Sequence, residues 1–262
     1  MVFYEDMDFT YYPYAALSCM VFLTLYKYVS PVISERLIPE YFLLPQAKQI
    51  DWNTRTNSSI HALVVSLICL YIIMYEEEIS KDPVWGNSAL VKYNCAIVVG
   101  YMLADSIVML LHYKEMGELF YIFHHGASIY AYYFVMTYGA LPWFANFRLV
   151  AELSTPFVNL RWFLDALGCP KESKVFLVNG ITMAIMFFLV RIVAIPPYWY
   201  KVYTIYGTES SVKLGNIWFV LISSCLVLDS INLYWFYKIF QGAKKVLSKS
   251  RDRNRNIASK AD

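Results

Sequence analysis

Long apolar runs alternate along the chain with short polar connections, and seven of the runs approach the about 20 residues that a helix needs to cross a hydrocarbon core of about 30 Å. They are Ala15 to Ile33, Ser58 to Tyr75, Ala89 to Leu111, Glu118 to Tyr138, Leu141 to Leu164, Val175 to Ile195 and Leu214 to Phe240. The first follows an acidic stretch, Met1 to Asp8, instead of a basic n-region, and so reads as a retained helix and not a cleaved signal peptide. Between the first two runs Pro39 and Pro45 interrupt an amphipathic segment suited to the membrane surface. A helix is predicted to start after Pro45 and continue into the second run, with Trp52 and Arg55 anchoring it at the interface. The expected fold is therefore all-α, a polytopic membrane protein with seven transmembrane helices. Its expected divisions are an N-terminal segment (1–45) carrying the first helix, a main helical domain (46–240) and a basic, solvated tail (241–262).

Composition sharpens this reading. The chain is 58% apolar and 16% charged, against about a quarter charged in soluble domains, which excludes a disordered chain, a coiled coil and a nucleic-acid binder. With a net charge of only +2, the placement of the charges matters more than their sum. Arg36, Lys48, Arg55, Lys114, Lys171, Lys174 and the tail fall on one side of the expected membrane, and only Lys81, Lys92, Lys201 and Lys213 on the other. The positive-inside rule then puts the C-terminus in the cytosol and the N-terminus in the lumen. Pro196 to Tyr200 becomes a lumenal aromatic belt, and the sequon Asn57-Ser-Ser59 is cytosolic and unglycosylated. The five cysteines show no CxxC and suggest neither a disulfide framework nor a metal site.

Ionisable residues inside apolar runs are costly and mark function by default. The third and fourth runs form a hairpin turning at His112 to Gly117, so Asp105 on one arm and His124 and His125 on the other lie at a common depth, about 10 Å beneath the cytosolic surface. In the fifth run Arg148, Glu152, Thr155 and Asn159 share one helical face. Arg148 and Glu152 are spaced for an i,i+4 ion pair, read as structural and not catalytic. Arg191 is expected to snorkel to the lumenal interface, and His61 and His112 to be satisfied by water or backbone. Asp229 and Asn232 reach the depth of Asn159 from the last run. A polar pocket inside a helix bundle follows, walled by Tyr101, Ser128, Glu152, Thr155, Asn159, Asp229 and Asn232 and open to the cytosol or laterally to lipid.

An imidazole there can deprotonate an amine or hydroxyl, or itself take an acyl group, while a carboxylate orients it. This makes His124, His125 and Asp105 the candidate catalytic set for acyl transfer. Arg55, Arg161, Lys171 and Lys174 ring the mouth as candidate ligands for an anionic carrier or a phospholipid head group. Four histidines are too few for a diiron desaturase. No bound cofactor or metal is expected, and acyl-CoA enters as a candidate co-substrate. A membrane lipid or fatty acyl chain is the expected partner.

The ordered set Trp52-x-x-Arg55-x-x-Ser58-x-x-His61, Gly100-Tyr101-x-x-x-Asp105, His124-His125 and Glu152-x-Ser154-Thr155-Pro156-x-x-Asn159-x-Arg161-Trp162 resembles the TLC domain of the TRAM, Lag1 and CLN8 proteins. That resemblance covers the second to seventh runs. It implies an endoplasmic-reticulum or related membrane, a barrel of six helices around a lipid-accessible cavity, and roles in lipid synthesis, sensing or trafficking. Ceramide synthases of that family carry a paired histidine matching His124 and His125, followed by a His-Asp signature. This chain has no His-Asp dipeptide and reads Arg148-Leu-Val-Ala-Glu152 there. The resemblance thus leaves two readings: acyl transfer to another acceptor, such as a lysophospholipid, and a lipid cavity without turnover.

Overall fold

The computed structural model describes residues 7–116 and 119–258, apart from the side chains of Met116 and of residues 245–258. The start of the acidic N-terminal stretch (1–6), the last residue of the expected hairpin turn with the first of the fourth run (117 and 118) and the end of the tail (259–262) lie outside the described residues. So do the side chains of the tail's basic residues from Lys245 onward.

The described residues form helices and short loops, with no strand among them. In chain order these are α1 (Tyr12–Leu37), α2 (Gln46–Tyr75), α3 (Ala89–Leu111), α4 (Leu119–Tyr138), α5 (Pro142–Leu149), α6 (Thr155–Ala166), α7 (Lys174–Ile205) and α8 (Ile217–Ala258), with single helical turns in several loops. Five segments are long and apolar enough to cross a membrane, namely α1, α2, α3, α7 and Ile217–Lys244 of α8. The other two expected spans are helical but weaker. α4 has 20 residues but carries two adjacent histidines and five tyrosines, and the fifth run is cut into α5, a 3-10 turn (Val150–Ser154) and α6.

Several boundaries move. The helix predicted after Pro45 does run unbroken into the second span. α7 continues past Ile195 to Ile205, so Pro196 to Tyr200 is a helical segment. Tyr198 is buried there. α8 likewise runs through the expected tail boundary to Ala258. Trp52 is buried instead of anchoring at an interface, its Nε1 donating to Ser34 Oγ at 3.0 Å. Asn57 is buried in α2 with its amide on Phe22 O at 2.8 Å, so its packing alone keeps a glycosyltransferase away.

Three helical segments change pitch, and each does so at a proline. Proline removes an N–H and presses its ring on the carbonyl four residues earlier. The positions four before Pro31, Pro156 and Pro196 are Lys27, Glu152 and Ile192, and these fall inside the π turn Leu25–Val29, the 3-10 turn Val150–Ser154 and the π turn Phe188–Ile192. The departure from α geometry is the local answer to the lost bond.

Lipid supplies no hydrophobic drive between helices, so packing depends on close approach and interhelical polar bonds. At Gly100 of α3 a Cβ would lie 2.3 Å from Ala15 O of α1, so only glycine lets these two helices meet. Asparagines clamp neighbouring helices through backbone carbonyls: Asn94 Nδ2 to Val65 O at 3.1 Å, Asn146 Nδ2 to Cys69 O at 3.3 Å and Asn179 Nδ2 to Phe157 O at 3.1 Å. Such bonds contribute about 0.6 kcal/mol each in a membrane.

The expected Arg148–Glu152 pair does not form, because the α-helix gives way to the 3-10 turn between them and the i,i+4 register is lost. Arg148 instead forks onto Asp229 of α8, whose Oδ2 also accepts from Trp199 Nε1 at 2.8 Å, and its guanidinium lies 3.8 Å over the Tyr198 ring. Breaking one side of a buried pair strands the other charge and typically costs about 3–5 kcal/mol. Arg148→Ala or Asp229→Ala alone is therefore expected to destabilise the protein by that order in thermal unfolding in detergent. The double variant Arg148→Met with Asp229→Leu is expected to recover most of the loss.

Candidate functional site

A cavity of about 650 Å³ lies between α2, α3, α4, the 3-10 turn, α6, α7 and α8. Exposed Lys48, Lys114, Glu115 and Lys238, with half-buried Asp51, mark its mouth. Met102, Met109, Val158, Phe187, Trp235 and Ile239 form apolar wall, and His124, Glu152 and Arg191 line it more deeply. A recess of about 40 Å³ continues behind that layer and shares His124, Glu152 and Arg191 with the larger space.

Two of the predicted residues, Asp105 and His125, meet between α3 and α4. His125 Nε2 lies 3.5 Å from Asp105 Oδ2, and its Nδ1 lies 3.4 Å from Ser106 Oγ. Both nitrogens of His125 therefore face side chains of α3. His124 turns towards α8, its ring 5.4 Å from that of Trp235, and its Nδ1 is buried with no hydrogen-bond partner. Successive helix positions point about 100° apart, so the doublet splits into one histidine held by α3 and another facing α8.

Glu152 meets Arg191, not Arg148. Arg191 is buried and does not snorkel to an interface: Nε donates to Ser154 Oγ at 2.9 Å, Nη1 to Asn232 Oδ1 at 3.0 Å and Nη2 to Thr155 Oγ1 at 3.1 Å, with Glu152 Oε1 at 3.8 Å. Thr155 in turn donates to Glu152 Oε2 at 2.8 Å. The π turn before Pro196 carries Arg191 and the 3-10 turn before Pro156 carries Glu152, so two proline breaks face each other across the bundle.

Nearer the mouth, Arg55 bonds Asp51 Oδ1 at 2.9 Å and Asn159 Oδ1 at 3.3 Å and stacks 4.8 Å from the centre of Trp162. Asn159 returns bonds to Arg55 O and Ser59 Oγ at 3.2 and 3.0 Å. Tyr101 lines the cavity with its ring stacked on His61 at 3.9 Å. His61 is buried in the protein, and its Nε2 lacks a partner.

The other predicted residues lie elsewhere. Ser128 and Asn232 line only the inner recess, and Asp229 is spent on Arg148 and Trp199 outside the main cavity. Arg161 faces away from the mouth, its Nη1 on Phe176 O at 2.9 Å and its guanidinium 3.6 Å over the Phe176 ring. Lys171 pairs at the surface with Asp165 at 3.4 Å, and exposed Lys174 starts α7 outside the lining. Lys48, Lys114 and Lys238 occupy the mouth in their place. Arg191, Trp235 and Ser106 were not among the expected site residues; a double proline five residues after a mid-run arginine was the signal available for Arg191. Among the described residues no cluster of three or more His, Cys, Asp or Glu side chains is arranged to hold a metal.

The TLC domain profile of the TRAM, LAG1 and CLN8 proteins matches residues 51–241, which include every lining residue of the main cavity outside the start of α2. The chain belongs to the TLC domain family. TLC domain-containing protein 4-B of Danio rerio is 47% identical over 228 residues, covering 87% of this chain and 86% of that protein. TLC domain-containing protein 4 of Homo sapiens is 43% identical over 243 residues, covering 90% and 91%. Its namesake TLC domain-containing protein 4 A of Dictyostelium discoideum is 25% identical over 224 residues, covering 83% of each chain. No solved structure matches this TLC protein.

Arg55 bridges two helices through a planar fork that lysine cannot reproduce. Arg55→Lys is expected to cost about 1–2 kcal/mol through the lost bond and stacking, read as a lower unfolding midpoint in detergent. Lys171→Ala removes only an exposed pair, and is expected to stay within about 0.5 kcal/mol of wild type.

Proposed function

We propose that this TLC-family protein binds an amphipathic, acyl-bearing lipid in its main cavity, with a polar group of the lipid against His124, Glu152 and Arg191. One observation carries the reading. A cavity within the usual size range for ligands, about 300–1,000 Å³, has a charged mouth, an apolar wall and a deep polar layer of His124, Glu152 and Arg191. Such an alternation suits a molecule that is itself polar at intervals along a hydrocarbon body.

Acyl transfer from acyl-CoA is a second reading, favoured by the nearness of His124 to a buried carboxylate, Glu152, in one cavity. In it the acceptor hydroxyl attacks the thioester carbonyl, the C–S bond breaks, and the acceptor proton leaves through His124 to the departing thiolate. Lys48, Lys114 and Arg55 are placed to meet phosphate at the mouth. We further propose seven crossings around this cavity, α4 and the α5–α6 pair adding to the five apolar helices, with six of them forming the barrel. The 20 residues of α4 span about 30 Å. The concentration of lysines at the mouth end supports a cytosolic mouth and C-terminus in an endomembrane such as the endoplasmic reticulum.

The test compares lipids co-purifying with wild type, His124→Ala and Glu152→Gln at equal folded abundance, together with transfer of a labelled acyl group from acyl-CoA to lysophospholipid. Binding predicts at least a tenfold loss of bound lipid in the variants, an effect of about 1.4 kcal/mol, and equal lipid in all three sinks it. Transfer by wild type that His124→Ala abolishes establishes the second reading. Orientation is read by a membrane-impermeant maleimide on sealed microsomes: Glu172→Cys is expected to label directly and Tyr206→Cys only after permeabilisation.

A further inference from the structure

We infer that the inner recess is a buried hydration site, and that its water makes His124 a hydrogen-bond donor towards the main cavity. Three polar atoms of residues lining this one recess are sealed from solvent and lack a partner: His61 Nε2, His124 Nδ1 and Arg148 Nε. The three residues come from α2, α4 and α5 and all line a space of about 40 Å³. A water needs roughly 10–15 Å³ of such space and two to four polar partners, so the recess meets both conditions.

The chemistry of the partners selects the occupant. Arg148 Nε–H can only donate, so whatever sits there must accept from it. An ammonium ion has no lone pair for that bond. An anion would also face the carboxylate of Glu152, which lines the same recess. Water can accept from Arg148 Nε–H and has two protons to give, and in the arrangement we infer these go to His61 Nε2 and His124 Nδ1.

The consequence falls on the other ring nitrogen of His124. With Nδ1 accepting, a neutral imidazole carries its proton on Nε2, the other ring nitrogen of a residue that also lines the main cavity. His124 then offers an N–H to a carbonyl, ester or phosphoryl oxygen of a bound lipid, and is not poised as a base. His61 and Arg148 act through this water as positioning residues. The assignment of the lipid oxygen rests on the lipid-binding reading; the tautomer does not.

The test is nuclear magnetic resonance on the ligand-free full chain in phospholipid nanodiscs, labelled with ¹⁵N-histidine and assigned by loss of signal in His124→Gln. At neutral pH wild-type His124 is expected to show the Nε2–H tautomer, with magnetisation transfer from a slowly exchanging water to its ring. His61→Phe removes one acceptor and fills the recess, and is expected to shift the signal towards Nδ1–H, whereas His61→Gln retains an acceptor and the wild-type pattern. An Nδ1–H tautomer in wild type, or no transfer from water, overturns the proposal even if His61→Phe fails to fold. Because no lipid is present, a negative result here is separate from a failure of lipid binding.

Discussion

An ionised side chain inside hydrocarbon must find its counter-charge on another helix, and this requirement organises the interior of the bundle. Two arginines and two acids are involved. Arg191 of α7 takes Glu152 of the 3-10 turn, and Arg148 of α5 takes Asp229 of α8. Each pair is completed by neutral donors and acceptors: Ser154, Thr155 and Asn232 around Arg191, and Trp199 with the Tyr198 face around the other. The desolvation of such charges is repaid only when hydrogen bonds satisfy the remaining atoms. Because the partners sit on different elements, the two pairs also fix the fifth segment against α7 and α8, and with it one side of the cavity.

The prolines decide which residues can enter those pairs. Had the fifth run stayed α-helical, Arg148 and Glu152 would have been neighbours at i,i+4 and would have neutralised each other within one helix. Pro156 tightens the turn around Glu152, and Pro196 opens one around Arg191. Both arginines are thereby committed across the bundle. A 3-10 or π turn in a helix interior often marks a functional position, and here two of the three lie in the cavity wall while the third, before Pro31, lies in α1.

Much of this was legible in the sequence because it rests on periodicity and length. The apolar runs locate the helices, and the shared depth of Asp105 and the histidines follows from rise per residue on two arms of a hairpin; the two groups do meet, at 3.5 Å between Asp105 and His125. The re-pairing of Arg148 and Glu152 was hidden, since spacing assumes a continuous α-helix and only the proline says otherwise. Trp52 and His61 look interfacial when depth is counted along one helix. Their burial comes from neighbours on other elements, Ser34 and Tyr101, that no single-helix count includes. The mouth cations were misplaced for the same reason: Arg161 and Lys171 find local partners, Phe176 O and Asp165, and point away from the cavity.

The histidine doublet shows why two identical neighbours need not share a role. A helix turns about 100° between them, so His125 is delivered to α3, where Asp105 and Ser106 face its two nitrogens, and His124 to α8 and the cavity. Neither direction can be exchanged without rotating α4. Holding His125 rigid has its own effect on His124, because the two Cα atoms are consecutive and the bonds from α3 fix the helix face on which the second ring emerges. The pair therefore divides into an anchor held by α3 and a second ring presented towards α8 and the cavity.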